Sequence, residues 1–393
     1  MTLEHVSLWN IFLNYARIGL QGWGGPVAQI QLIHEDAVIQ KQWMDPERFK
    51  DAYAICSMLP GPEAAELCIY IGVHKRGVWG GICAGLGFML PNFLMITALA
   101  WLYFTYTVSS DMIQSLLFGV KPAMIAIVTY SLYRLSDKFG VMQDRKLLAM
   151  AILMLTLSFV PRFDLVFLLL LIGVVYLLLI TLIERNNHQS PGDSTLLSTT
   201  PWLLFTSMGL GQHFVPWQVS WLFLKIGALS FGGAYTVLAL LQSEAVDHYA
   251  WLSTEQYIDG LAINELTPGP LIMVAAFVGF AAYGFWGATL ATFFIFLPAF
   301  LFILLGVPYF EKIRQRPWVK IYLAGVSAAV VGLTANFLIR LSVDVFHDWV
   351  SPGIALLSLL LLGKWKFPIW SVFMIGLVLG SCYMFVLNGS FIN

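Results

Sequence analysis

The sequence predicts an all-α polytopic membrane protein made of two inverted-topology repeats, with about ten crossings and two broken-helix re-entrant hairpins. Three observations lead to this prediction: an apolar composition, an internal repeat, and a charge pattern that reverses between the copies. Of the 393 residues, 59% are hydrophobic and 11% are charged, whereas soluble domains carry roughly 25% charged residues. Apolar runs at 86–104, 165–183 and 288–307 are each long enough to cross about 30 Å of hydrocarbon.

The internal repeat divides the chain into two similar halves. Residues 17–62 align with 225–270 at an offset of 208 without a gap, and fifteen positions are identical. The identities include Pro-Gly-Pro triplets at 60–62 and 268–270. A polar segment separates the copies. We therefore expect a first repeat at 1–183, a linker at 184–200 and a second repeat at 201–393.

The charges of equivalent loops differ between the copies. The loop at 74–76 reads His-Lys-Arg, whereas its counterpart at 281–283 reads Ala-Ala-Tyr. The next loop reverses this pattern, because 109–115 has no basic residue and 311–320 is rich in them. Basic loops face the cytoplasm, so the two copies should lie in the membrane with opposite orientations. Each copy then needs an odd number of crossings.

The Pro-Gly-Pro triplets predict two re-entrant hairpins. Basic residues flank the segment 49–73 on both sides, so both of its ends should be cytoplasmic. A segment that starts and ends on one side and is broken in the middle is most simply a pair of half-helices, and its counterpart lies near 257–281. Because the residue before a proline avoids helical backbone, Leu59 and Thr267 should be the last before each break. Five crossings remain in each copy, at about 8–33, 78–106, 113–134, 146–160 and 163–183, and at about 218–241, 285–308, 319–342, 350–363 and 367–387.

Broken helices within a membrane indicate a binding site. Backbone groups freed by proline cost several kcal/mol each if they stay bare in hydrocarbon, so the breaks should be buried in protein or line a wet cavity. A half-helix that restarts after the triplet would direct free amides and a positive dipole end at an anion. Two inverted copies would place two such ends around one site near mid-membrane, as in secondary transporters. The alternative is that each triplet only makes a kink or a surface turn.

A second pair of breaks, GWGGP at 22–26 and SFGGA at 230–234, allows either close helix packing or a local unwinding of the chain. Arg17 and Lys225 occupy equivalent positions before these breaks. A charge within a membrane helix is costly and by default marks function, so both are candidates for neutralising an anion. The alternative is that their side chains reach to the membrane interface. Lys121 is either a third site cation or a helix-end anchor.

Carboxylates beside the triplets are candidates for proton coupling: Glu63 and Glu66 follow the first triplet, and Glu265 precedes the second. Carboxylates within a membrane often relay protons or hold a cation. The alternative is that each is paired with a nearby basic group. Asp51 and Asp259 open the hairpins at matched positions, where a carboxylate favours a helix N-terminus.

The glycine pairs, Trp43 and Trp251, the Pro-Gly-Pro triplets, and the lone prolines Pro91 and Pro298 recur in the same order in both copies. This pattern resembles the chromate ion transporter family, in the long-chain form that fuses two chromate-transport domains. The resemblance implies a cytoplasmic (inner) membrane exporter of chromate that confers chromate resistance, with sulfate as a competing anion. It also implies basic residues at Arg17 and Lys225, and substrate-binding residues at Gly24, Gly25, Pro60, Gly61, Pro62, Gly232, Gly233, Pro268, Gly269 and Pro270.

The sequence departs from the family pattern in two places. In the first glycine element, Trp23 replaces the usual Phe and Pro26 replaces a small residue. After the first triplet, Glu63 places a carboxylate beside the supposed anion site. Such a charge argues against chromate selectivity unless Glu63 is protonated or paired.

We therefore expect a multi-pass secondary active transporter that exports chromate, a tetrahedral oxyanion, by rocking one copy against the other. The alternatives are a transporter of sulfate or another oxyanion, and a passive anion channel. An enzyme is not expected, because the seven histidines are dispersed and no acidic cluster suits a metal. Neither a cofactor nor a metal is expected. The expected partners are chromate or sulfate, protons and membrane lipid, with a homodimer as one candidate assembly. Nucleic acid is not expected, since the net charge is −1 and no basic stripe is present.

Overall fold

The computed structural model describes residues 6–106, 117–160, 164–187, 214–231, 234–307 and 316–390, without the side chains of 184–187 and 384–390. Every regular element within these ranges is a helix, and each of the seven helices of the first half has a counterpart in the second. The all-α prediction is confirmed.

The first half contains helices α1 to α7. Two of them are irregular: α2 continues as a π-helix at Glu35–Gln40, and α4 is bent sharply at Arg76 and Gly77. The helices are α1 Leu8–Gln21, α2 Gly25–His34, α3 Pro46–Cys56, α4 Glu63–Tyr106, α5 Val120–Lys138, α6 Arg145–Leu157 and α7 Leu165–Asn187.

The second half repeats this order as α8 to α14, including the irregularities. A π-helix, Gln242–His248, follows the second helix, and the fourth is bent at Tyr283 and Gly284. A 3₁₀ turn at Leu271–Met273 precedes the fourth helix, and a π-helix at Phe302–Gly306 follows it. The helices are α8 Val215–Ala228, α9 Ala234–Leu241, α10 Thr254–Glu265, α11 Val274–Leu301, α12 Pro317–Val345, α13 Val350–Gly363 and α14 Ile369–Ser390.

Several of the described helical segments are suited to a membrane. Four are long and apolar enough to cross it: Glu63–Tyr106, Leu165–Ile183, Leu271–Gly306 and Pro317–Val345. Val350–Gly363 and Ile369–Tyr383 are apolar but shorter. The chain is therefore a polytopic membrane protein, while the count of ten crossings stays a prediction because other segments are short or broken.

The half-helices that lead into the triplets begin at matched caps. Asp45 accepts a hydrogen bond from the Arg48 amide at 2.9 Å, just before α3. At the equivalent position before α10, Ser253 accepts from the Gln256 amide, and the Gln256 side chain accepts from the Ser253 amide. Caps of this kind contribute about 1 kcal/mol each. Both half-helices therefore start at a polar signal that the local sequence supplies.

Each of the two longest bent helices, α4 and α11, folds back on itself at a glycine. Gly77 has φ 60° and ψ −155°, and Gly284 has φ 59° and ψ −150°, a conformation that other residues rarely adopt. The two arms of α4 pack closely enough that Gly72 faces the carbonyl of Gly80, and α11 repeats this contact. Each bent helix is thus a half-helix followed by a full-length antiparallel arm.

The first half-helix of α4 and the preceding α3 form a helical hairpin at the place where the re-entrant hairpin was predicted. They meet at the first triplet, and their outer ends lie on one side, since His74 is within electrostatic reach of Asp45 and Arg48. The bend at Gly77 then sends the chain back through the protein. The same order of α10, triplet and bent α11 forms the second hairpin.

The long arms of α4 and α11 pack against each other in opposite directions. Gly81 faces Leu304 and Gly85 faces Phe300, so residue numbers rise along one helix as they fall along the other. These two arms are equivalent elements of the repeat. Their antiparallel contact is the arrangement that inverted repeats require.

The helices group by their position in the repeat and not by half. In the core bundle, which comprises α1–α4 and α8–α11, α1 packs along α4, α8 along α11, and α4 against α11. In the outer bundle, α5 packs against α13 and α14, while α12 packs against α6 and α7. The last three helices of each half are therefore interlocked with those of the other.

Glycines allow the interlocking helices to approach closely. Gly119, which precedes α5, faces the carbonyl of Gly376 in α14. Its repeat counterpart Gly325, in α12, packs against Gly173 and Tyr176 of α7. Two symmetry-related glycine contacts thus join the halves.

Two predicted crossings and the predicted starts of the breaks are wrong. The crossing expected at 8–33 is two helices, because Gly24 and Gly25 have left-handed backbone and unwind the chain. The crossing expected at 218–241 is likewise two helices, since α8 ends at Ala228 and α9 begins at Ala234. The segment expected at 113–134 contains the start of α5 at Val120, while residues 113–116 lie outside the described ranges. The breaks begin before Leu59 and Thr267, since α3 ends at Cys56 and α10 at Glu265. A proline removes the hydrogen bond to the carbonyl four residues earlier and clashes with it, which ends the helix upstream.

We predict that Gly119→Ala destabilises the protein, because its new methyl group meets the backbone of α14 and overpacking costs at least about 1–3 kcal/mol. Thermal unfolding of detergent-purified protein measures the effect. Gly353→Ala is the matched control, since nothing lies within 4 Å of that position. An equal unfolding midpoint for the two variants would contradict the interlocked packing.

Candidate functional site

Both Pro-Gly-Pro triplets form buried turns between half-helices. The first turn joins Cys56 to Glu63, and the second joins Glu265 to the 3₁₀ turn. All three residues of the first triplet are buried, as are both prolines of the second. Gly269 has φ +131°, which favours glycine. The triplets are therefore interior features and not surface turns.

Each turn contacts the opposite half of the chain, at the residue that follows the lone proline of that half. Gly269 packs against Asn92, the residue after Pro91. Gly61 packs against Ala299, the residue after Pro298. The turns thus lie on the antiparallel pair formed by α4 and α11, in symmetry-related places.

The first glycine break joins the second turn. The Gly269 amide donates to the Gly22 carbonyl at 3.2 Å. Gln29, which is 1% exposed, donates from Nε2 to the Gly22 carbonyl at 3.0 Å and to the Gly269 carbonyl at 2.6 Å. Gly24 and Gly25 lie within this break, which contacts the second triplet at Gly269. Gly232 and Gly233, predicted in the second glycine break, lie outside the described residues.

Side-chain amides surround the second turn. Asn92 Nδ2 donates to the Pro268 carbonyl and to Thr267 Oγ1, the latter at 3.3 Å. Asn264 Nδ2 donates to the Leu271 carbonyl at 3.0 Å. These bonds satisfy carbonyls that the broken helix leaves without backbone partners. The turn is held by side chains.

The sequence prediction missed Gln29, Asn92 and Asn264. A signal was available in the repeat, because Gln29 and Asn92 align with Val237 and Ala299. A polar residue whose repeat counterpart is apolar stands out within a membrane segment.

Of the three predicted proton-coupling carboxylates, Glu66 has the surroundings best suited to binding a proton. Its side chain is fully buried, and neither carboxyl oxygen has a hydrogen-bond partner in the described structure. Gly61 lies directly beside Oε1. The first turn therefore contacts an unpaired acid.

The other two predicted carboxylates have different surroundings. Glu63 forms an ion pair with Lys138 at 2.9 Å, so the pairing alternative holds for it and the negative charge beside the turn is neutralised. Glu265 is partly buried at the end of α10, within electrostatic reach of Tyr235.

Lys121 belongs to a buried cluster outside the turns. Its ammonium lies 2.6 Å from Asp259 Oδ1, and the Tyr103 hydroxyl donates to Asp259 Oδ2 at 2.8 Å. Asp259 is 4% exposed. Lys121 thus neutralises a carboxylate of the second hairpin, a role that neither of its predicted readings included.

Lys225 is also paired, in this case with two carboxylates. Glu244 lies at 2.7 Å and Asp164 at 2.8 Å from the ammonium. Burial alone would raise the pKa of Asp164, but Lys225 and the amides of Val166 and Phe167 lower that pKa overall. Lys225 therefore carries no spare positive charge in this conformation.

Arg17 lies on the exposed face of α1. It lines a small cavity together with Glu35 and Asp36. The structure thus brings the first glycine break and the second triplet together with Asn92, but it places Arg17, Lys121 and Lys225 beside carboxylates.

Within the part of the chain that the structure describes, four ion pairs join the core bundle to the outer bundle. They are Lys121–Asp259, Lys138–Glu63, Lys225–Asp164 and Arg340–Asp247.

A cavity of about 350 Å³ lies at this junction, lined by Arg340, Asp247 and Asp344 among others, and by none of the predicted site residues. Within the described ranges, no group of three His, Cys, Asp or Glu side chains could hold a metal ion.

Comparison with known proteins identifies the family. The family model described as chromate transporter matches residues 9–178 and 217–381. The chain belongs to the chromate transporter family. This is a family of membrane transport proteins and not of enzymes, and the resemblance drawn from the sequence is confirmed.

Members of the chromate transporter family match nearly the whole chain. The chromate transport protein of Pseudomonas aeruginosa is 36% identical over 349 residues, covering 86% of this chain and 82% of that protein. The chromate transport protein of Cupriavidus metallidurans is 32% identical, covering 93% and 90%. A probable chromate transport protein of Synechococcus elongatus is 30% identical, covering 92% and 90%. No solved structure matches.

We predict that Lys121→Met destabilises the protein, because it leaves Asp259 buried without its cation, which costs about 3–5 kcal/mol. The double variant Lys121→Met with Asp259→Leu should recover most of the loss. The midpoint of thermal unfolding in detergent measures both. Lys50→Met is the control, since the exposed Lys50–Glu47 pair contributes about 0–1 kcal/mol. If the double variant is no more stable than Lys121→Met, the buried pair is not the cause.

Proposed function

We propose that the protein is a secondary active transporter that exports chromate from the cytoplasm across the cytoplasmic membrane and so confers chromate resistance. The observation that carries this proposal is the meeting of both Pro-Gly-Pro turns with the antiparallel arms of α4 and α11. Broken helices at a repeat interface are typical of substrate sites in secondary transporters. The names of the relatives from Pseudomonas aeruginosa and Cupriavidus metallidurans supply the substrate.

The chemistry of the turns suits an oxyanion without a free cation. The half-helix of α4 starts directly after the first turn, so its first amides lack helical partners and its dipole end is positive. Chromate presents four oxygens as hydrogen-bond acceptors. We propose that Pro60, Gly61 and Pro62, with their counterparts in the second turn, shape the site, and that backbone amides bind the oxygens.

The membrane potential favours the proposed direction. Each negative charge that leaves a cell with a negative interior gains about 2.3 kcal/mol per 100 mV, or about 4.6 kcal/mol for a dianion. The proposed opposite orientation of the two halves, which the antiparallel arms support, places one hairpin opening toward each side of the membrane.

We propose that alternating access moves the core bundle against the outer bundle. The interlocked packing of α5 and α12 argues against rocking one half as a rigid unit, because that motion would pull these helices from their partners. The core bundle contains both turns, and the four ion pairs cross its boundary. A sliding core would carry the site between the two faces.

Glu66 is the residue that we assign to proton coupling. An ionised carboxylate with no partner in a dry interior is very costly, so Glu66 should carry a proton in this conformation. Its contact with Gly61 connects its charge state to the first turn. Release of that proton would require the movement that opens the turn to water.

We predict that the purified protein transports chromate in proteoliposomes and lowers chromate accumulation in cells that express it. Chromate uptake into inside-out vesicles, with and without an imposed gradient, measures transport. Sulfate flux in the same vesicles tests the alternative substrate. If sulfate moves while chromate does not, the chromate proposal fails. If the chromate flux depends only on the chromate gradient, and on no gradient of a coupling ion, the protein is a passive channel.

We predict that Glu66→Gln removes the dependence of chromate transport on the pH gradient, because the amide cannot exchange a proton. Proton movement during transport, followed with an internal pH dye, should fall to background. Glu47→Gln, at an exposed position, is the control and should behave as the unmodified protein. A pH-gradient dependence that survives in Glu66→Gln would exclude Glu66 as the coupling residue.

A further inference from the structure

The two Pro-Gly-Pro turns differ chemically although they occupy equivalent places. The second turn receives hydrogen bonds from Gln29 at 2.6 Å, on the Gly269 carbonyl, and from Asn92 on the Pro268 carbonyl. Both donors are almost fully buried, with 1% of each residue exposed. Both come from the opposite half of the chain.

The first turn lacks these two donors. The counterparts of Gln29 and Asn92 are Val237 and Ala299, which have no side-chain hydrogen-bonding group. In their place the first turn has Glu66, whose two oxygens are unpaired. Conversely, the four residues after the second turn, 271–274, are apolar. The acid and the amides are therefore segregated between the two turns.

This segregation has a consequence for an anion. A carbonyl oxygen that faced the ligand would repel it, as would an ionised Glu66. Gln29 and Asn92 hold two successive carbonyls of the second turn through their amide nitrogens, so these oxygens are engaged away from a ligand. Asn92 also reaches Thr267 Oγ1 at 3.3 Å and Gln29 also reaches the Gly22 carbonyl at 3.0 Å, which ties the turn to the first glycine break.

Two hydrogen-bond acceptors beside the second turn have no donor among the described residues. The Oδ1 atoms of Asn92 and Asn264 are buried without a partner in the described structure. A buried acceptor without a donor is costly, so this region is suited to a hydrated ligand whose water molecules can donate to these oxygens.

We propose that both turns shape the site but differ in their added roles: Gln29 and Asn92, at the second turn, are the positioning residues that set the affinity for the oxyanion. The first turn adds the proton site at Glu66. The inference rests on the proposed function, since it assigns parts of the same site. It explains why Gln29 and Asn92 are polar whereas their repeat counterparts, Val237 and Ala299, are apolar.

Measurement of KM and maximal rate for chromate in proteoliposomes tests this division. Gln29→Met and Asn92→Leu keep similar volumes but remove the donors, and Gln29→Glu keeps the shape while removing Nε2. The expected result is a KM raised roughly tenfold, consistent with one lost buried hydrogen bond, with the pH-gradient dependence retained. The matched control, Val237→Ala at the repeat counterpart of Gln29, should leave KM within about twofold.

The outcomes separate this inference from the proposed function. If the unmodified protein does not transport chromate, the proposed function fails. If it does, but the donor variants lower only the maximal rate in proportion to the folded protein recovered, Gln29 and Asn92 are structural and the inference is overturned. An equal rise of KM in Val237→Ala would also overturn it, because the loss of a side-chain donor would then not be the cause.

Discussion

The structure depends on one constraint: backbone groups freed by a broken helix need partners when no water is available. Two Pro-Gly-Pro turns create such groups in the interior. At the second turn, Gln29 and Asn92 satisfy the carbonyls, and the Gly22 carbonyl accepts the Gly269 amide. These partners come from the other half of the chain. A broken helix in one half thus requires the other half, and this dependence explains why the turns lie where the halves meet.

Most of the fold could be predicted from the sequence because of the internal repeat. The triplets, the matched caps and the glycine bends are local signals, so the hairpins and the order of the helices could be predicted. The packing of α5 against α13 and α14 could not be predicted, because no local sequence pattern indicates which helix of the other half lies next to α5. The same limit applies to the lysines. Lys121 and Lys225 could be recognised as costly charges, but their partners Asp259 and Asp164 come from distant segments.

Near-symmetry makes the exceptions informative. The two halves share helix order, π-helices and bends, so a position that breaks the match shows where their chemistry differs. Gln29 against Val237 and Asn92 against Ala299 are exceptions of this kind, as is Lys121 against Ser327. All three contribute a contact to the second hairpin or its turn. The second hairpin is therefore the more firmly held of the two, while the first contains the unpaired Glu66.

The interlocked outer bundle has a consequence for biosynthesis. Helix α5 ends at Lys138, and its partners α13 and α14 begin only after Trp349, more than 200 residues later. At about 5–20 residues per second, the ribosome supplies those partners roughly 10–40 s after α5 has emerged. During that interval the face of α5 around Gly119 has only lipid or the insertion machinery to contact. Insertion of the first half must therefore leave an unfinished bundle in the membrane, which the second half completes.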